Sequence, residues 1–486
     1  MQDWQIALVM MIGYLVIALV IGMMAGLGRG GSISEYAVAG RTLGFVVTAF
    51  LMGGAVFSAF SFLGAPGWAF TQGAPAFYII VYVAFGIFPW YFIGPKIGKI
   101  GKKLNLFTVS DFLNGRFQNK ALPILVGILS LLAFIQYLAT QMKGMAYIFN
   151  MMTEGAVPFW LGALIAYGIV VIYVATGGIR AAAWSDVFQG AVMVVIAWVI
   201  GIVVVYQLHG GIGAMFTAIN EANPGFLEIG HEGSTMSATA YTTSILVSAI
   251  GLLIWPHLFS RSFSSQPITI KRTVLIYPLF ALFLFPLLLG GFSAVGVVPV
   301  DAVEADEILP YLVSTVMNLP GWLYGLVGAG ALAAAMSSAD AITHSAALEF
   351  TNGVVKTTRK SLKEDKILLL MRVAVIVIGA LAYFVTIFGG QGLIALLLGA
   401  YGAIVQFAPG IYSALYWKRA TAPGVISGLL VGTGINYYYS LAASSTPFDI
   451  HAGIVGLIFN LIVLIVVSYL TKPQPEEMAR AYVDAH

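Results

Sequence analysis

Cysteine is absent from this 486-residue chain, so no disulfide can form and no thiol nucleophile is available. Charge is nearly as scarce. Asp, Glu, Lys and Arg make up 9% of the residues, against about 25% in a soluble domain, while 60% are hydrophobic. That balance excludes a water-soluble globule and specifies an integral membrane protein. The six histidines are scattered, none pairing with another at metal-ligand spacing, so metal-assisted catalysis lacks its parts. No stretch has the composition of a soluble domain. The longest exterior connection, His209 to Ala240, reads as a loop, and the fourteen residues after Lys472 are short for a sensor's output module. No basic segment precedes Trp4 to Met24, which is too long for a signal-peptide core and reads as a spanning helix. Transport therefore leads over sensing and catalysis, and neither a nucleic-acid nor an obligate protein partner is legible.

What is present is a series of thirteen apolar segments. They fall near 4–26, 45–70, 75–97, 121–150, 158–177, 185–208, 241–262, 273–298, 320–350, 366–388, 391–417, 421–442 and 453–471. An odd count puts the termini on opposite sides. With the amino terminus outside and the carboxyl terminus cytoplasmic, every Lys and Arg except Lys143 falls in a cytoplasmic loop or at its edge. Lys99, Lys102, Lys103, Arg116 and Lys120 share one such loop, and Arg359, Lys360, Lys363 and Lys366 another. The exterior loops hold acids instead: Glu221, Glu228, Asp301, Glu304, Asp306 and Glu307. This is the positive-inside pattern.

The run from Gly321 to Phe350 breaks its apolar character at the centre with AAAMSSAD. On a helix Ala334, Ser337 and Ser338 share one face at i, i+3 and i+4, with Asp340 one turn beyond Ser337 and His344 one turn beyond that. Serines alone serve helix packing by bonding back to the preceding turn. An intramembrane carboxylate beside them points to function, and a patch of oxygens suits a hard monovalent cation.

Two segments carry helix breakers. The second contains GGAVFSAFSFLGAPGW, where Gly53, Gly54, Gly64, Pro66 and Gly67 bracket serines and aromatics; the seventh carries Pro256 in IGLLIWPHLFSR. Proline kinks and close glycine packing would explain either one. Each, however, opens a block of five segments, 45–208 and 241–417, and an odd-numbered block inverts in the membrane. Corresponding broken helices at the starts of inverted halves mark a midplane binding site.

These residues resemble the sodium:solute symporter family over most of the chain. GGIRAAAWSDVFQ is similar to that family's signature entering its sixth helix, and PHLFSR to the PH-x-x-x-R run of its proline transporters. YWKRATAPGVISG and AAAMSSAD are also family-like. The resemblance implies an all-α membrane protein of leucine-transporter-like fold with 13 transmembrane helices, in a bacterial cytoplasmic membrane. Its expected divisions are an extra first helix and loop (1–44), inverted repeat one (45–208), an exterior loop (209–240), inverted repeat two (241–417), and two further helices with a short tail (418–486).

The resemblance implies a sodium site made of the carbonyls of Gly54, Phe57 and Ala334 with the hydroxyls of Ser337 and Ser338. Sodium is then the coupling ion of alternating access, with no other cofactor. Some members have Asp or Asn where this chain has Val56. Ser248 and Leu252 replace the aromatics of proline carriers, which argues against proline. Asp186 stands where an aspartate in some members helps to bind a second sodium. Here its expected partners are Asp340 and Ala341, a carboxylate and a non-ligand. Two close carboxylates would share a proton or demand a cation, so Asp186 and Asp340 form a candidate second cation or proton site. The alternative is an Asp186 that only bonds helix starts in the loop Gly177 to Ser185.

Ser58, Phe60, Ser61, Ser248, Leu252 and Tyr401 are the candidate substrate contacts, a set poor in polar groups that suits a partly apolar ligand. Lys143 belongs to a stripe with Gln136, Thr140 and Tyr147 at helical spacing. It lies about 10 Å from the outer helix end at 1.5 Å per residue, so it can snorkel outward. It can instead lose its proton and couple transport to pH, or pair with a substrate carboxylate. The last reading favours a small monocarboxylate or pantothenate-like anion, imported with sodium. Proton-coupled symport on the same fold is the rival, and a solute sensor the more distant one.

Overall fold

The structure, a computed structural model, describes residues 1–27, 31–54, 57–230, 236–317, 319–359, 362–390, 393–443 and 445–485, apart from the side chains of 394 and 395. Val56 and Lys360 lie outside these residues. Helix accounts for the architecture, as it must where no water is present to satisfy backbone groups. Among the described residues the one strand-like pairing is an isolated parallel bridge between Leu43 and Ser265. Outward-facing Val9, Val16, Phe92, Val195, Phe384 and Leu470 leave an apolar surface suited to lipid.

Each apolar segment carries helix, but the segments differ in how intact it is. Nine helices among the described residues are long and apolar enough to cross a membrane, ten with the pair Ala74–Gly86 and Trp90–Leu104, bent by 57°. The thirteen-span count stays a proposal, because several segments are broken or short. Phe159–His209 is helical on both sides of Gly178, whose φ of 57° and ψ of −144° divide it in two. A side chain at Gly178 would strike the Tyr36 carbonyl, so glycine is required there on both counts.

The second segment is interrupted between Phe45–Gly53 and the π-helical turn Phe60–Gly64, which leads into Ala65–Gln72. The break between them includes Phe57 and Ser58. Pro66 sits in the first turn of the resumed helix, where its missing N–H costs nothing. Likewise the seventh segment stops at Gly251 and resumes at Pro256, leaving Leu252 to Trp255 between Ala238–Gly251 and Pro256–Ser264.

Gly321–Glu349 is the axis of the structure, with nearly all of its residues buried. Its alanines and glycines allow close approach of Asp3–Gly26, Ala121–Met152 and Phe159–His209, where packing takes the place of a hydrophobic driving force. A side chain at Gly325 would meet Ala7 and one at Gly330 would meet Ile196. The helix ends on Glu349, whose carboxylate accepts from the backbone N–H of Val109 (2.6 Å) and Ser110 (3.2 Å) and from the Ser110 hydroxyl (2.7 Å). This caps Val109–Phe117, already N-capped by Thr108.

Candidate functional site

The break in the second segment faces the serines of the axial helix. The Ser337 hydroxyl donates to the Gly54 carbonyl at 3.3 Å, and the Ser338 hydroxyl to the Phe57 carbonyl at 3.1 Å. Phe57, Ala334, Ser337 and Ser338 are all buried. Ligand oxygens about 2.4 Å from a hard cation in near-octahedral array stand about 3.4 Å apart, close to these separations. The Gly54 carbonyl, which also accepts from the Phe57 N–H at 3.0 Å, the Phe57 carbonyl and two hydroxyls one helical turn below Ala334 are thus gathered at the spacing of neighbouring cation ligands. The oxygens gathered here are carbonyls and hydroxyls, neutral groups that suit a monovalent ion.

Beyond this point the hydroxyls continue into an aromatic wall. Ser58 and Ser61 are joined by the Ser58 N–H donating to the Ser61 hydroxyl at 2.7 Å, with their hydroxyls 3.3 Å apart. Gln141 accepts from the Ala59 N–H at 2.9 Å and so fixes the restart of the helix. The Tyr137 side chain reaches both Ser58 and Ser338. Its ring packs on Trp255 at 4.9 Å, and Trp255 meets Tyr401 edge-on at 5.5 Å. Tyr401 meets Tyr82 at 5.8 Å, Tyr82 meets Tyr78 at 4.9 Å, and the Tyr78 hydroxyl lies 3.3 Å from that of Ser248. The buried Trp255 Nε1 has no hydrogen-bond partner.

This wall gathers Ser58, Ser61, Ser248 and Tyr401 of the expected substrate contacts. Phe60 lies against Gly64, and Leu252 beside Gly86. Lys143 keeps other company. It lies over the Tyr147 ring at 5.5 Å and acts electrostatically on Asp306 and Glu307 of the 293–320 connection. Burial pushes both carboxyls above the usual carboxylate range, and Lys143 pulls each back down. Asp306 also accepts from the Leu393 N–H at 2.9 Å.

Asp186 and Asp340 are both buried and within electrostatic reach of each other and of Arg261. Asp340 Oδ2 accepts from the Tyr173 hydroxyl at 2.9 Å. Its Oδ1, both Asp186 oxygens and Nε and Nη2 of Arg261 have no hydrogen-bond partner, and no ion pair among the described residues joins Arg261 to either acid. Sequence reasoning missed Arg261, although PHLFSR ends on it. It also missed Tyr137, Trp255, Tyr78 and Tyr82, whose only signal was Trp255 standing directly before Pro256.

The segment ahead of the first broken helix is tied across its base. Arg41 donates to the Phe263 carbonyl at 3.0 Å, Leu43 N–H to the Ser264 carbonyl at 3.2 Å, and the Thr48 and Ser265 hydroxyls are 2.7 Å apart. Arg180 pairs with Glu35 at 3.0 Å. At the opposite end a cavity of about 400 Å³ runs in to Gln136, past Ser244, Tyr437 and His451.

A multi-pass helical bundle with two broken helices meeting near a buried axial helix defines a secondary transporter of leucine-transporter-like fold. The structure superposes on a substrate-bound, outward-open Na+-coupled sialic acid symporter with a TM-score of 0.80, covering 97% of this chain and 99% of that one at 20% identity. The sequence profile of the sodium:solute symporter family matches residues 36–432, and the chain belongs to that family. It is accordingly a sodium:solute symporter and not an enzyme. It is similar to the Bacillus subtilis symporter YhjB, with 30% identity over 96% of this chain and 97% of the relative. A monocarboxylate transport permease of Rhizobium johnstonii is 26% identical over 96% of each chain. A sodium/proline symporter of Staphylococcus aureus is 26% identical over 97% of this chain and 93% of its own.

Proposed function

We propose that this symporter imports a small organic anion, a monocarboxylate or pantothenate-like solute, with sodium bound by Gly54, Phe57, Ala334, Ser337 and Ser338. The observation that carries the reading is the pairing of both serine hydroxyls with the carbonyls of the broken helix. One sodium ion carried with a monovalent anion moves no net charge, so accumulation follows the sodium concentration gradient, about tenfold for each 1.4 kcal/mol that gradient supplies.

The substrate lies against the wall formed by Ser58, Ser61, Tyr137, Trp255, Tyr401 and Ser248. Tyr137, part of that wall, lies within electrostatic reach of Ser338, so substrate and ion act on the same region. Trp255 Nε1, a buried donor without an acceptor, suits a carboxylate oxygen. The name of the Rhizobium relative accords with such a substrate. Lys143, beside Tyr147 and the outer acids, meets the anion on its way in. The inverted repeats 45–208 and 241–417, an outside amino terminus and a bacterial cytoplasmic membrane complete the reading.

Proton coupling is the second reading, favoured by the unpartnered Asp186 and Asp340 oxygens. With one Arg261 charge against two carboxylates, a single cation or proton completes the balance. Uptake of candidate monocarboxylates by proteoliposomes under separate sodium and proton gradients decides between them. Sodium-driven accumulation is the expected result; full uptake on a proton gradient with nothing added by sodium overturns it.

A further inference from the structure

One cavity lies away from the ion site, on the membrane flank. A groove of about 690 Å³ runs between Phe407–Tyr416 and Ala452–Leu470, walled by Ile250, Ala408, Tyr412, Leu457, Leu461 and Ile465. A second, of about 140 Å³, lies on the other side of Ile250 and Tyr412, which belong to both, and is closed by Phe85, Pro89 and Leu253. Both open along helices that face hydrocarbon. A void there would forfeit dispersion contacts along its whole lining, and the solvent at hand to fill it is an acyl chain.

The wider groove ends at Trp417 and Tyr469, whose rings lie 5.8 Å apart in the manner of an interfacial aromatic belt. Arg419 sits over Tyr469 at 5.6 Å and donates to the Tyr469 and Thr471 carbonyls at 3.1 and 2.8 Å. Its Nη1 has no partner, and among the described residues no acid forms an ion pair with it. Lys418 adjoins it, half-exposed and paired with the equally exposed Asp484 at 3.2 Å, a contact a phosphate would have to displace. An unfilled apolar groove capped by aromatics and by a cation without an anion has the chemistry of a phospholipid site.

We propose that one anionic phospholipid binds here, its two chains straddling Ile250 and Tyr412 and its headgroup phosphate against Arg419 and Lys418. The site has a consequence for transport. Ile250 directly precedes Gly251, where the helix breaks ahead of Leu252 and Trp255, and Tyr401 packs on Gly251 from within. The lipid thus braces from outside the bend whose inner side carries the substrate wall.

The test is native mass spectrometry of the full-length protein released from nanodiscs of equal phosphatidylcholine and phosphatidylglycerol. Wild type is expected to retain phosphatidylglycerol preferentially. Arg419→Gln should cut that preference about fivefold, the equivalent of about 1 kcal/mol for a cation near a lipid surface. Because Arg419 also holds two carbonyls, Lys418→Gln provides a second variant, with a change in the same direction. Leu461→Trp, at a position 48% exposed, should fill the groove and release the bound lipid of either headgroup. Equal retention of both lipids by wild type overturns the proposal, as does unchanged retention in the variants. So does a dimer that Leu461→Trp dissociates, which would make a second copy of the chain the groove's occupant.

Discussion

Ser338 donates its hydroxyl to the carbonyl of Phe57 across 3.1 Å, linking residues 281 positions apart in the chain. With Ser337 and Gly54 it makes the axial helix read the conformation of the break: the oxygens are neighbours only while the second segment is bent inward here. An ion held between them therefore stabilises one arrangement of two elements, which is what coupling requires.

Trp255 should set substrate affinity without touching the ion. Trp255→Phe keeps an aromatic ring but removes the unpartnered N–H. Losing a hydrogen bond to a charged group costs about 1.5–3 kcal/mol, so the half-saturation for the carboxylate should rise at least about tenfold while that for sodium holds. Equal effects on both would assign Trp255 to packing alone.

Asp186 and Asp340 should contribute charge to the transport cycle. In the Asp340→Asn variant, paired measurements of current and solute flux should show one fewer positive charge moved per substrate than in wild type. If Asp340→Asn and Asp186→Asn both leave that ratio unchanged, these carboxylates are structural and the second site is absent.

Lys143 should act on the entering anion. Lys143→Ala is expected to raise the half-saturation for a carboxylate solute several-fold, Lys143→Arg to restore part of it, and sodium activation to persist in both. Normal uptake by the alanine variant would leave Lys143 with the outer acids Asp306 and Glu307 as its whole role.

The Thr48–Ser265 hydroxyl pair should help to hold the base of the transporter closed. A net side-chain hydrogen bond is worth about 1 kcal/mol, so Thr48→Val should raise the open population about fivefold. Because the chain has no cysteine, one introduced at Leu43 reports this directly through its labelling rate with a membrane-impermeant thiol reagent. A rate unaffected by Thr48→Val would remove the pair from the gate.

Much of this was legible in the sequence where the signal is local. Ser337 and Ser338 share a face by helical period alone, and their family-like setting named the carbonyls they bond. Gly53, Gly54, Gly64, Pro66 and Gly67 left the extent of the first break open; Pro66 itself sits in the first turn of the resumed helix, where a proline breaks no bond. The aromatic wall was hardest to foresee. Tyr401 was a candidate contact, but Tyr137 lies on another helix and Trp255 in the break before Pro256, and nothing in their local spacing distinguishes those two from aromatics that face lipid. Arg261 escaped for the same reason, since its relation to Asp186 and Asp340 exists only once three helices are packed.

The central claim is that Ser337 and Ser338 bind the coupling ion. A sodium titration of solute uptake in proteoliposomes, run on wild type, Ser337→Ala and Ser338→Ala at matched protein levels, tests it most directly. Each alanine variant should need at least about tenfold more sodium for half-maximal uptake, the equivalent of about 1.4 kcal/mol per lost ligand. Unchanged sodium half-saturation in both variants would contradict the account.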